Sequence, residues 1–150
     1  MTPTAALRVA QTPEEAAYIF LEQARQQLAN GREITPLAVL VCEENNHPAY
    51  DLVGLAFSDE SRNSAFRQVV TMAKNKTAKA IITIAAADYY GAHNGHAPED
   101  CIFVTVSGEG IETLTMRLPF TRGRWRSKIK FGDLERKTEP VPLAFLPDWP

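Results

Sequence analysis

The sequence predicts an α+β fold: a five- or six-stranded, mostly antiparallel sheet with two helices, in the order α-β-β-α-β-β-β with room for one strand more. Three observations carry this. Thr12-Pro13-Glu14-Glu15 is a capping box that opens a helical hydrophobic repeat. Ala80 to Ala87 is apolar on both faces and too short for a typical helix. Two alternating runs, Ile102 to Ser107 and Ile111 to Leu118, flank Gly108-Glu109-Gly110, as the strands of a tight hairpin do.

At the first helix, the Thr12 hydroxyl can accept from the Glu15 amide, and Pro13 sits where a missing N–H costs nothing. Ala17, Leu21, Ala24 and Leu28 share one face, and Asn30-Gly31 supplies a left-handed stop. Leu37 to Cys42 is β-branched and apolar, and the Asn- and Pro-containing stretch from Glu43 to Asp51 carries turn chemistry before Leu52 to Phe57. A hairpin is expected there. Ser58 and Asp59 are candidate caps for a second helix that carries Glu60 in its first turn. Its buried stripe is Phe66, Val69, Val70 and Ala73, and Lys74 and Lys76 suit its C-terminal dipole. Ala80 to Ala87 then reads as a central strand covered by helices, and a loop from Asp88 to Asp100 leads to the second hairpin. In its second strand Leu114, Met116 and Leu118 face one way, and Thr113, Thr115 and Arg117 the other. After a turn near Gly123 a last strand can run to Phe131.

With 150 residues, 45% hydrophobic and 23% charged, the chain suits one domain with a core of its own. Residues 1–11 read as an N-terminal arm and residues 138–150, with Pro140, Pro142, Pro147 and Pro150, as an extended tail. Leu143, Phe145, Leu146 and Trp149 in that tail need a surface to pack on. Cys42 and Cys101 lie in or beside apolar runs and read as buried, reduced thiols, which favours the cytoplasm. No secretory signal is legible in Met1 to Gln11, and no apolar run approaches the roughly 20 residues that cross a bilayer. A membrane partner is not expected. The net charge is −2, yet residues 1–116 hold 8 basic and 14 acidic side chains and residues 117–150 hold 8 basic and 4 acidic. This asymmetry predicts a polarised surface.

The order of elements is similar to that of profilin-like and roadblock-type domains, a five-stranded antiparallel sheet between helices, and also to the start of a deaminase-type fold. An apolar strand ending in Asp88, Tyr89 and Tyr90, then a loop, then Pro98-Glu99-Asp100 entering a strand, resembles a group of small uncharacterised bacterial and phage proteins of helix-hairpin-helix-hairpin order. That group more often has a Glu and a Trp where Asp88 and Tyr89-Tyr90 stand. The resemblance implies a fold and no activity.

Candidate chemistry concentrates in one loop. His93, His96, Glu99, Asp100 and Cys101 are metal-ligand types close in sequence, but zinc needs three or four ligands held tetrahedrally and this spacing matches no established motif. A solvated glycine-containing loop accounts for the histidines without a metal. Asp88, Tyr89 and Tyr90, at the end of the central strand, could line a pocket with His93 and His96. No nucleophile elbow occurs and neither cysteine has a basic sequence neighbour to activate it. No catalytic residue, resident metal or cofactor is assigned. A metal-dependent hydrolase using the 88–101 loop stands as an alternative.

Arg122, Arg124, Arg126, Lys128 and Lys130 alternate with Gly123, Trp125, Ser127, Ile129 and Phe131. On one strand, five such cations would form a row roughly 27 Å long. The row suits the phosphates of a nucleic acid or another polyanion, or an acidic protein partner. A solvated edge whose charges block aggregation explains the alternation without any ligand. The predicted function is a non-enzymatic binding or scaffold module that self-associates or binds a partner protein, with nucleic-acid binding as the alternative use of the row.

Overall fold

The computed structural model describes residues 10, 12–54, 62–89, 99–108, 110–122 and 129–138, and their side chains except at 62–66, 87–89, 99 and 111. The observed order is α1 (Pro13–Ala29), β1 (Leu37–Glu44), β2 (His47–Gly54), α2 (Arg62–Asn75), β3 (Ala80–Tyr89), β4 (Glu99–Gly108), β5 (Ile111–Thr121), β6 (Lys130–Phe131) and β7 (Glu135–Lys137). The sheet runs β2-β1-β3-β4-β5-β6, with β7 also on β5, and every pairing is antiparallel. The α+β class holds. Among the described residues the strand count is seven, because the C-terminal edge contributes two short strands.

Local chemistry explains α1. The Glu15 N–H donates to Thr12 Oγ1 at 3.1 Å, satisfying one of the first-turn donors. At the other end Gly31 takes φ +77°, its N–H donates to the Leu28 carbonyl, and Arg32 N–H donates to the Gln27 carbonyl. That pair of bonds closes a Schellman motif, which only a residue at ease with positive φ allows. The predicted face is buried in full, with Ala16 and Phe20 added to Ala17, Leu21, Ala24 and Leu28. In α2, Val69 and Ala73 are buried, whereas the Phe66 side chain, the proposed caps Ser58 and Asp59, and the first-turn residue Glu60 lie outside the described residues.

Alternation along the strands divides the core in two. Val39 and Val41 of β1, Ile82 and Ile84 of β3, Val104 of β4 and Leu114, Met116 and Leu118 of β5 meet α1. Ala38, Leu40, Cys42 and Ile81 point the other way, to Val69 and Ala73 of α2. Covering both faces explains why β3 reads as apolar throughout, although its neighbours are antiparallel. The α2 side of the sheet continues as a buried polar row. Thr83, Thr105 and Thr115 pair directly across β3, β4 and β5, each at most 2% exposed. Thr83 and Thr105 share a hydrogen bond between their hydroxyls. The hydroxyls of Thr115 and Ser107 are buried without a partner.

Three segments differ from expectation. The first hairpin was predicted with a long turn over residues 43–51, but its strands run to Glu44 and from His47, leaving only Asn45 and Asn46 as the turn. Both have positive φ, 51° and 64°, the geometry of a type I′ turn, which asparagine tolerates and which matches strand twist. Pro48 is therefore a strand residue. At the other edge, Phe120 pairs with Phe131 and Thr121 with Lys130, while Arg117 pairs with Glu135. Those registers differ by one residue, so a bulge separates β6 from β7. It falls at Pro119, which has no N–H to offer the ladder; its carbonyl accepts from Gly132 N–H at 2.8 Å, and a Cβ at Gly132 would stand 2.9 Å from the Pro119 ring.

The third difference concerns the basic segment. Lys130 pairs with Thr121, the residue before Arg122, so the two ends of 122–130 are neighbours across a ladder. A single straight strand from Arg122 to Lys130, with a row roughly 27 Å long, is incompatible with that pairing. Arg122 itself follows the end of β5. Arg124, Arg126 and Lys128 lie outside the described residues, as do residues 139–150 of the tail.

Candidate functional site

Hairpin parity decides what the edge strand β2 offers. The two-residue turn makes Glu44 and His47 its closing, hydrogen-bonded pair, and bonded and non-bonded pairs alternate from there. Cys42–Ala49, Leu40–Asp51 and Ala38–Val53 are then the bonded pairs of the β1–β2 register. The odd residues of β1 must instead bond toward β3, as the Val41 carbonyl does in accepting from Lys79 N–H at 2.8 Å. On β2 the backbone groups of Tyr50, Leu52 and Gly54 consequently point away from the sheet, together with the Pro48 carbonyl. Pro48 stands at a position whose N–H would face outward, where its absence breaks no ladder bond.

The side chains of this edge carry little protection against pairing. Natural edge strands use lysines, inward charges or bulges to discourage added strands. β2 pairs with β1 over all eight residues without a bulge and holds no Lys or Arg. Its one carboxylate, Asp51, is held by Lys76 Nζ at 2.7 Å. That hydrogen bond is the main reason the Lys76 ammonium titrates above its ordinary value. Leu52 is 62% exposed and, with Leu134, makes up the exposed large hydrophobics among the described residues.

Beside the edge a cavity of about 530 Å³ opens between the start of α1 and the turn end of the hairpin, lined by residues that include Thr12, Pro13, Cys42, Pro48 and Tyr50, with Glu43 and Lys79 also contributing. Glu43 and Lys79 form an ion pair. Burial pushes the Cys42 thiol above its ordinary 9.0, and the nearby Asp51 carboxylate adds to the shift. Burial, then the charge of Glu15, pushes the Tyr50 phenol above its ordinary 10.0. Both are neutral at neutral pH. Since the folded chain holds these two protons more tightly than the unfolded chain, their contribution to stability is fully present below 9.0 and is lost as pH rises through 9.0 and 10.0. Chemical unfolding should therefore show lower stability at about pH 10 than at about pH 7, and a Cys42→Ala, Tyr50→Phe variant should lose part of that difference.

The C-terminal cations are placed differently from the sequence reading. Arg122 makes a two-pronged contact with Glu33, at 3.2 and 3.3 Å, and stands over the Phe120 ring at 5.7 Å. Arg136 pairs with Glu14. Two basic residues of the last third, Arg122 and Arg136, thus meet acidic residues of the first third within one chain. Such exposed pairs contribute at most about 1 kcal/mol each. Lys130 is exposed at the start of β6.

Cys101 also departs from its sequence neighbourhood. No basic residue flanks it in the chain, but the register places Arg117 diagonally across β4 and β5, and Arg117 Nη1 donates to Cys101 Sγ at 3.5 Å. The same guanidinium binds Glu135 at 2.7 Å. Burial alone would lower its pKa; the Glu135 bond and the neighbouring Cys101 outweigh that and raise it. Both cysteines are free thiols and buried.

Of the predicted pocket, Asp88 and Tyr89 are placed by backbone only, opposite Asp100 and Glu99 in the β3–β4 ladder. Tyr90, His93 and His96 lie outside the described residues. Among the described residues no group of three or more His, Cys, Asp and Glu is placed to hold a metal ion, and no helix is long and apolar enough to cross a membrane. Comparison with known protein families, with curated proteins and with solved structures finds no match for this chain.

Proposed function

We propose that this chain is a non-enzymatic binding module whose recognition element is the outer edge of β2, to which an extended strand adds. The single observation behind this reading is the β2 edge, which among the described residues carries no bulge, Lys or Arg and turns the backbone groups of Tyr50, Leu52 and Gly54 outward beside a leucine 62% exposed. Strand addition draws affinity from main-chain hydrogen bonds and specificity from the alternating side chains. Here Leu52 supplies the apolar contact and the paired Asp51 leaves no free charge to oppose an incoming strand.

The test uses a synthetic peptide copying residues 47–54, titrated into the protein while amide hydrogen exchange is followed residue by residue. The N–H groups of Tyr50, Leu52 and Gly54 should slow as peptide is added, whereas those of Ala49, Asp51 and Val53, already bonded to β1, should change little. Outward amides that exchange freely at saturating peptide would end this reading.

A further inference from the structure

We infer that residues 129–138 form a strap that opens from β5 as one unit while the rest of the sheet stays folded, with Arg136 as its latch on α1. The strap lies at the other end of the sheet from β2, so the inference stands whether or not β2 accepts a strand. Every residue of the segment is exposed or half-buried, whereas Met116, Leu118 and Phe120 of the strand it runs beside are buried. It meets β5 through two short strands, Lys130–Phe131 and Glu135–Lys137, and the bulge at Pro119 and Gly132 divides them. Hydrogen bonds on an exposed edge add little net stability, because water replaces them when they open, and holding the segment in place costs backbone entropy. Closing the strap therefore falls to its side chains.

Those side chains grip α1 from both directions. Arg136 of β7 pairs with Glu14 and lies over the Tyr18 ring, 5.4 Å from its centroid. Glu14 and Tyr18 are neighbours one helical turn apart, so one arginine reaches both. Arg25 of α1 lies over the Phe131 ring of β6 at 5.1 Å. A guanidinium from each element thus sits on an aromatic ring of the other, drawn by the negative face of that ring. On β5, Arg117 holds Glu135 at 2.7 Å. Phe131 and Ile129 add partial packing against the core. Contacts made by charge at an exposed surface weaken as salt screens them, whereas the strands behind β5 are held by apolar burial, which screening leaves intact. Charge closes the strap, and loss of charge releases it.

The register lets β5 report on both states. Gly132 N–H donates to the Pro119 carbonyl, so the backbone groups of the odd residues of β5 point toward the strap and those of the even residues toward β4. Native-state hydrogen exchange of the whole chain, corrected for intrinsic rates, should therefore divide this strand. The amides of Thr115, Arg117 and Thr121, which face Lys137, Glu135 and Lys130, should exchange together with those of the strap, at least about tenfold faster than those of Met116, Leu118 and Phe120. Arg136 is half exposed, so Arg136→Gln should fold. It should speed the strap group by a further factor of about three to ten and leave the even amides of β5 unchanged. Salt at about 1 M should act on wild type in the same way. Odd and even amides of β5 that exchange at one rate would overturn the inference. So would a strap group whose rate is the same in wild type and Arg136→Gln, or a variant that speeds both groups alike, since that is a loss of global stability rather than the release of a local latch.

Discussion

Replacing Ile82 by alanine is expected to cost about 2–5 kcal/mol of folding stability. Ile82 is fully buried in β3, the strand that joins β1 to β4, and its side chain sits in the layer between the sheet and α1. Truncation removes its transfer free energy and leaves a space that a strand bonded on both sides cannot close. Domains of this kind are stable by only about 5–15 kcal/mol, so the loss is a large share of the whole. Denaturant unfolding measures it, and Leu52→Ala is the control. Leu52 is also a strand leucine, but 62% exposed, so its truncation should change monomer stability by no more than about 0.5 kcal/mol. Equal losses at the two positions would contradict the burial on which the fold rests.

Thr115→Val is expected to stabilise the protein, by about 1–3 kcal/mol. Thr115 is 2% exposed and its hydroxyl has no hydrogen-bond partner. A buried hydroxyl in that state carries a desolvation penalty that a methyl group of similar shape does not. The neighbouring Thr105 is the informative contrast, because its hydroxyl is bonded to that of Thr83. Thr105→Val should cost about 1 kcal/mol. Thermal unfolding of the two variants should therefore move in opposite directions, at roughly 2–4 °C per kcal/mol for a chain of this size. A destabilised Thr115→Val would mean that this hydroxyl is satisfied.

What could be read from the sequence follows from how local its cause is. The Thr12 cap, the Gly31 stop and the face of Leu114, Met116 and Leu118 depend on residues within a few positions of one another, and each stands as expected. Pro48 misled the sequence reading because proline marks turns in general, and its harmless position on an outer edge depends on which strand lies beside it. The strand order was likewise invisible. Only when β1 is seen between β2 and β3 does β2 become an edge, and only then does Leu52 acquire meaning. The basic segment shows the same limit from the other side. Alternation predicted one long strand, whereas the pairing of Thr121 with Lys130 brings its ends together. The partners of Arg122 and Arg117, namely Glu33, Cys101 and Glu135, are set by tertiary pairing that no spacing rule encodes.

The central claim is that the outer edge of β2 recruits an extended strand through the surface around Leu52, and calorimetric titration of the 47–54 peptide into the protein tests it most directly. Wild type should bind the peptide saturably. Leu52→Lys, which places a charge where edge strands normally carry one, should weaken that binding at least about tenfold, a loss of about 1.4 kcal/mol. A wild type that binds no peptide, or a Leu52→Lys chain that binds it as tightly as wild type, would contradict it.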